Sequence, residues 1–243
     1  MKSISFPGQS LIAIVGPTAS GKTEVAWEVS KLIPAEMIAC DSMQVYKGMS
    51  LISQASSQVR THLVSFLDPS QEYSAALFRK DAFCLVEKIL KKKKIPLLAG
   101  GTGLYLRALL DGLFEPEAGE VSSDESLRKK LLAEQEINGG DHLHRKLEKV
   151  DPISAQKIHP NDLRRIVRTL EVYYLTKKPL SEQKANREGV RGKLDCRIFL
   201  LERDRLELYE RINRRVERMI KEGLVEEVKK LSRKKLKIGR AHV

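Results

Sequence analysis

Apolar and polar positions follow two different rhythms along this chain, and the change between them divides it. The run "LIAIV" at 11–15 is short, wholly apolar and closed by Gly16, the mark of a buried strand. In "KTEVAWEVSKLI", Val25, Ala26, Val29, Leu32 and Ile33 recur at helical spacing, and Pro34 closes the helix. "EMIACD" reads as a second strand ending in an acid. "SAALFRKDAFCLVEKILKK" puts Ala75, Phe78, Ala82, Leu85, Val86 and Ile89 on one helical stripe. "IPLLAGG" is a third strand and "GLYLRALLDG" a further helix. Strands and helices alternating over short links predict an α/β fold, a parallel sheet covered on both faces.

From about 115 the strands disappear. "EPEAGEVSSDE" is polar and acidic and reads as a hinge, and "SLRKKLLAEQE", "DHLHRKLEKV" and "PNDLRRIVRTLEVYYLT" follow as helices. In the last of these Asn161 is the expected N-cap and Leu163, Ile166, Val167 and Leu170 the buried stripe. Strand character returns in "DCRIFLLERD" at 195–204. Two more helices follow, parted by Gly223, the first expected to bury Leu206, Tyr209, Ile212, Val216 and Met219. The expected organisation is therefore a core of residues 1–114 and 191–243 with a helical insertion at 115–190. No internal repeat is evident.

Composition narrows the class. The 243 residues are 42% hydrophobic and 31% charged, as in ordinary globular proteins, and hold enough chain for one sizeable core. No apolar run approaches the roughly 20 residues of a membrane span, and "MKSISFPGQSLIAIVG" lacks the pattern of a signal peptide. Cys40, Cys84 and Cys196 are odd in number and not in metal-binding spacing, so reduced thiols in a cytoplasmic protein are expected. The net charge of +12 makes a polyanion such as nucleic acid a natural partner. The run "KKKK" at 91–94 is by itself read as a solvated helix end.

The sharpest chemical signal is "GPTASGKT", Gly16, Pro17, Thr18, Ala19, Ser20, Gly21, Lys22 and Thr23. It fits the phosphate-binding loop at every fixed position and lies between a strand and a helix. Loop amides and a helix N-terminus offer partial positive charge to phosphate oxygens, Lys22 adds a full charge, and the Thr23 hydroxyl can ligate magnesium. The loop alone leaves the fate of the phosphate open between transfer, hydrolysis and departure as a leaving group. Asp41, at the end of the second strand, has the place of a magnesium-associated acid or a general base, with a helix N-cap as the competing role. Gln44 has an amide able to read an adenine edge. "AGGTGLY" at 99–105 permits close backbone approach and offers Thr102, although a tight turn explains it equally. Arg164, Arg165 and Arg168 lie off the apolar stripe of their helix and suit a phosphodiester backbone or a solvated face. Arg211, Arg215 and Arg218 line a second stripe, with Glu207 to Arg211 and Glu210 to Arg214 spaced as helical ion pairs.

Taken in order, "GPTASGKT", "DSMQVYKGM", "EYSAALF", "GGTGLYLRALLDGL", "DPISAQKIHPNDLRRIVRTLEVYYLTKKPLSE" and "YERINRRVERMIKEGLVEEV" resemble the tRNA dimethylallyltransferase family over most of residues 11–231. The resemblance implies a P-loop NTPase-like, three-layer core with a parallel sheet and a helical insertion domain that binds tRNA. It implies that the loop holds the diphosphate of dimethylallyl diphosphate, which leaves as the prenyl group passes to N6 of the adenosine 3′ of the anticodon (position 37) in tRNAs reading UNN codons. By motif position Asp41 is the base, Asp41, Ser42, Met43 and Gln44 read the adenine, and Thr102 touches tRNA. Arg164, Arg165, Ile166, Val167 and Arg168 map to the tRNA-binding helix. Either Arg211 or Arg215 is the diphosphate arginine, and Mg2+, held by Thr23, is the implied cofactor. The expected state is a monomer.

Two stretches depart from the family pattern. After "QVYKGM" the chain reads "SLISQASSQVRT", without the usual lysine and threonine, and only "HL" at 62–63 remains of a double histidine. The last six residues, "IGRAHV", match the translation of a common sequencing adapter, which suggests that the natural chain continues differently.

Overall fold

The run at 11–15 forms strand β1 (Ser10–Val15), whose inner residues are buried on both faces. A computed structural model of the chain describes residues 9–53, 60–113, 124–183 and 189–233. The middle of the altered loop (54–59), most of the acidic hinge (115–123) and the terminal "IGRAHV" lie outside the described residues. After β1 come helix α1 (Lys22–Leu32), β2 (Ala35–Ala39), the single-turn α2 (Ser50–Ser53), and β3 (Thr61–His62). Helix α3 (Ala75–Lys91), β4 (Ile95–Gly100) and α4 (Gly103–Asp111) follow, and β5 (Asp195–Leu200), α9 (Arg205–Lys221) and α10 (Leu224–Arg233) close the sequence. Helices α5 (Glu125–Asn138), α6 (His142–Val150), α7 (Pro152–Lys157) and α8 (Leu163–Thr176) lie between α4 and β5.

The described strands make one parallel sheet in the order β3-β2-β4-β1-β5. Successive side chains of a strand point to opposite faces. Ile12, Ile14, Met37, Leu97 and Ala99 accordingly pack with Ala26 and Ile33 at α1. Helices α3 and α4 pack together, and α3 also meets β2 and β4, where alternation leaves Ile38 and Leu98 for the opposite face. Ser74 caps α3 by accepting from the Leu77 amide, and Phe78, Ala82, Val86 and Ile89 are buried along it. The α/β class with its parallel sheet is thus observed. Val25 and Leu32 are exposed, so the buried stripe of α1 is narrower than its periodicity suggested. The two-residue β3 had no sequence signal.

The chain divides into two compact units, Met1–Gly112 with Glu188–Val243, and Leu113–Arg187. The second has its own core of Leu131, Leu143, Leu147, Ala155, Ile166, Val167 and Leu170. The N-cap of α8 is Asp162, whose carboxylate accepts from the Arg165 amide, and not Asn161, whose amide donates to His159. Fully buried Glu171 takes hydrogen bonds from Arg128, Arg168 and the Asp124 amide. Burial alone would raise its pKa, but these donors outweigh it and hold the carboxyl below its ordinary value.

The expected burial along α9 does not hold. None of its residues is buried, and Leu206 is 73% exposed. The element it meets most is α10, and β5, the strand before it, lies at the edge of the described sheet. Periodicity reported an amphipathic helix and could not report what covers it.

Candidate active site

Parallel strands bring their carboxyl ends to one side of the sheet, which is where open α/β sheets place ligands. Here β2, β4 and β1 are consecutive neighbours. The segments that follow them, "DSMQVY", "GTG" and the phosphate loop, are therefore placed side by side by pairing alone.

The loop after β1 is held open by its backbone. A side chain at Gly16 would put its Cβ 2.4 Å from the Leu201 carbonyl oxygen, so only hydrogen fits against the strand end beside it. The N-cap of α1 is Gly21, which supplies no side-chain acceptor, whereas Ser74, Asp124, Asp151, Asp162 and Asp204 cap their helices with side chains. The first-turn amides of α1 are thereby left to an anion in the loop. Lys22 donates to the Pro17 carbonyl at 2.5 Å and lies over Gly101. Its pKa is lowered, chiefly by burial; the charge of Asp41 opposes the shift and that of Arg215 adds to it. Lys22, Asp41 and Arg215 thus share one electrostatic neighbourhood. Thr23 is exposed on the first turn of α1, Ser20 is buried within the loop, and Pro17 and Thr18 are exposed at its tip.

Asp41 does not cap a helix. Its Oδ1 accepts from the Met43 amide at 2.8 Å, closing a turn that runs on through Gly48. The turn is pinned to the end of β4: the Thr102 amide donates to the Cys40 carbonyl at 3.2 Å, and the Ser42 amide donates to Thr102 Oγ1 at 3.2 Å. Gly100 allows this approach, since a Cβ there would meet the Cys40 carbonyl oxygen at 2.1 Å. Gln44 donates through Nε2 to the Ser53 carbonyl at 3.2 Å. Behind the turn, Tyr105 is buried, stacked on Phe78, and donates to the Tyr73 carbonyl.

The arginines of α9 separate. Arg211 donates through Nε to the Ala19 carbonyl at 2.7 Å, inside the phosphate loop, and does not pair with Glu207. Glu207 instead takes Arg203, whose Nε donates to the Ser20 carbonyl at 2.8 Å. Arg215 meets the site through its charge on Lys22. Arg203 was missed by sequence reasoning. The signal lay in β5: Val15 pairs with Leu200, so residues just beyond Leu200 must emerge beside the loop.

In the second unit Arg164, Arg165 and Arg168 are exposed along α8, with Arg165 near Asp162 and Arg168 tied to Glu171. Ile166 and Val167 belong to the helical core, so the stretch is not a continuous contact surface: their side chains are spent on packing. In the first unit a cavity of about 620 Å³ lined by Trp27, Glu36, Arg60, His62, Lys92 and Lys94 lies at the amino ends of β2 and β4, the opposite end of those strands from the Asp41 turn and Thr102.

Among the described residues no cluster of three or more His, Cys, Asp or Glu is placed to hold a metal. Magnesium bound with a phosphate ligand needs only one or two protein oxygens, and the exposed Thr23 hydroxyl at the start of α1 fits that requirement.

A model of the IPP transferase family matches residues 44–242, and one of isopentenyl transferases matches residues 9–69. The tRNA dimethylallyltransferase of Carboxydothermus hydrogenoformans is 44% identical over 92% of this chain and 72% of its own length. That of Thermotoga maritima is 44% identical over 90% of this chain and 72% of its own. The crystal structure of the tRNA isopentenylpyrophosphate transferase from Bacillus halodurans superposes with a TM-score of 0.62 at 37% identity, covering 96% of this chain and 73% of that one. A eukaryotic dimethylallyltransferase acting on tRNA gives a TM-score of 0.77 at 31% identity, over 93% and 56%. The chain belongs to the IPP transferase family, whose curated relatives are tRNA dimethylallyltransferases.

Proposed function

We propose that this chain transfers the dimethylallyl group of dimethylallyl diphosphate to N6 of adenosine 37, 3′ of the anticodon, in tRNAs reading UNN codons, acting as a monomer in the cytoplasm. The observation that carries the reading is that the phosphate loop after β1 and the Asp41 turn after β2 flank the end of β4, with the turn pinned to that end through Thr102 and the charge of Asp41 acting on Lys22. A phosphate loop beside a carboxylate also suits a kinase. The family membership and the net charge of +12 favour a tRNA acceptor.

In this reading the N6–C1 bond forms while the C1–O bond to diphosphate breaks, and the N6 proton passes to the Asp41 carboxylate. An exocyclic aromatic amine is a poor nucleophile, so a base in reach of its proton lowers the barrier. Charge develops on the leaving diphosphate, where Lys22, the α1 amides and Arg211 meet it, with Arg203 shaping the loop from behind. When bound, magnesium would add its own charge to the diphosphate oxygens from Thr23. Ser42, Met43 and Gln44 hold the adenine edge, and Arg164 and Arg165 meet the RNA backbone.

The test is direct. Purified chain, magnesium, radiolabelled dimethylallyl diphosphate and unmodified tRNA are mixed, and label in the RNA is counted beside an Asp41→Ala control. Label that vanishes in the variant supports the reading. Phosphorylation of a small alcohol from ATP, without RNA labelling, would establish the kinase instead.

A further inference from the structure

Helix α10 reaches the segment assigned to adenine recognition through one side chain. Glu227 accepts from the Leu51 amide through Oε2 at 3.1 Å and from the Ile52 amide through Oε1 at 3.0 Å, and the Ser50 hydroxyl donates to Oε2 at 3.3 Å. The carboxylate so occupies the first turn of α2. At the other end of α2, Ser53 is buried: its amide and hydroxyl both donate to the Met49 carbonyl, and its own carbonyl accepts from Gln44 Nε2 at 3.2 Å. Glu227 at one end of α2 and Gln44 at the other are thus linked by hydrogen bonds to the short backbone of that one turn.

We infer that Glu227 is a positioning residue for the acceptor base, acting by fixing α2 and, through the Ser53 carbonyl, the rotamer of Gln44. The inference rests on the proposed role of Asp41 to Gln44 in reading adenine. A four-residue helix is too short to hold itself in water, so its order depends on external partners. Glu227 supplies three of them at once, and Gln44 has the orientation of its amide set by the carbonyl that α2 presents. The same helical pair meets the phosphate loop at Arg211, which separates the two functions: Arg211 serves the prenyl donor and Glu227 the acceptor.

The experiment is a double-mutant cycle between Gln44→Ala and Glu227→Ala, read as KM for tRNA, KM for dimethylallyl diphosphate, and melting temperature. We expect each single variant to raise KM for tRNA about five- to tenfold, with KM for the donor within twofold of the unaltered chain. The double variant is expected to match the worse single, because groups acting in series do not add. Glu227→Gln, which keeps one acceptor oxygen, is expected to fall between, and it carries the same cycle if the alanine variant does not fold. Multiplying penalties, or equal increases in both KM values with a lower melting temperature, overturn the positioning role. An unaltered chain that labels no tRNA overturns both the proposed function and this inference.

Discussion

Arg211 donates its Nε–H to the carbonyl of Ala19 across 2.7 Å, fixing a residue of α9 within the loop that follows β1. The bond leaves the two Nη groups of the guanidinium for an anion, and Arg211 Nη2 lies 4.0 Å from where a Cβ on Gly21 would stand. Arg215 makes no such bond among the described residues and acts on Lys22 through charge. Arg211→Ala should therefore lower kcat/KM for dimethylallyl diphosphate about 100-fold, and Arg215→Ala about tenfold. Arg211→Lys should not recover the loss, since an ammonium cannot grip a carbonyl and an anion in the same planar geometry. Steady-state kinetics with varied donor decide it, and equal losses would remove the ranking.

Gly100 sets the distance between β4 and the Asp41 turn. A methyl group there would lie 2.1 Å from the Cys40 carbonyl oxygen and 2.8 Å from Cys40 Cα, both rigid backbone atoms. Gly100→Ala should cost about 1–3 kcal/mol of stability and remove the Thr102 bonds to Cys40 and Ser42. Thr102→Val removes only the acceptor for the Ser42 amide and should leave the melting temperature nearly unchanged while raising KM for tRNA severalfold. Thermal denaturation and kinetics on the two variants separate the backbone spacing from the hydroxyl.

How far the sequence carries depends on how local each cause is. The phosphate loop is legible because eight consecutive residues and their flanks encode it. Asp41 and Thr102 are placed together by a rule of parallel sheets, given only that each follows a strand. Arg203 escapes because its partner, the Ser20 carbonyl, is 183 positions away and is met only through the β1–β5 pairing. The expected Glu207–Arg211 pair fails for a related reason: helical spacing allows it, but a distant carbonyl holds Arg211 and Arg203 takes Glu207. Tertiary partners decide such choices, and a lone sequence does not contain them.

In the helical unit, Glu171 and Arg164 offer a contrast between stability and binding. Glu171→Ala leaves Arg128, Arg168 and the Asp124 amide without their shared acceptor, and should cost about 3–5 kcal/mol. Arg164 is exposed on α8, so Arg164→Ala should leave unfolding unchanged. If it meets a tRNA phosphate, the variant should bind tRNA more weakly and reduce the salt slope of log K by about one. Urea denaturation and tRNA binding over a range of salt read the two effects independently.

Glu36 gives the pH dependence its sign. His62, Lys94 and Lys92 surround its carboxylate, and the His62 hydrogen bond, followed by those lysines, outweighs burial and lowers its pKa from 4.5 to about 2. A carboxyl with a depressed folded pKa binds its proton more readily in the unfolded chain. Its stabilisation is therefore complete above about pH 4.5 and is lost as the pH falls towards 2. Because Lys92 and Lys94 are solvent-exposed, their pairs contribute modestly, and Glu36→Gln should lower the melting temperature by roughly 2–4 °C at neutral pH. The difference between variant and unaltered chain should shrink through the window from pH 4.5 to 2 and be absent below it. A difference that stays constant across that window would show that the carboxylate charge is not what stabilises this corner of the sheet.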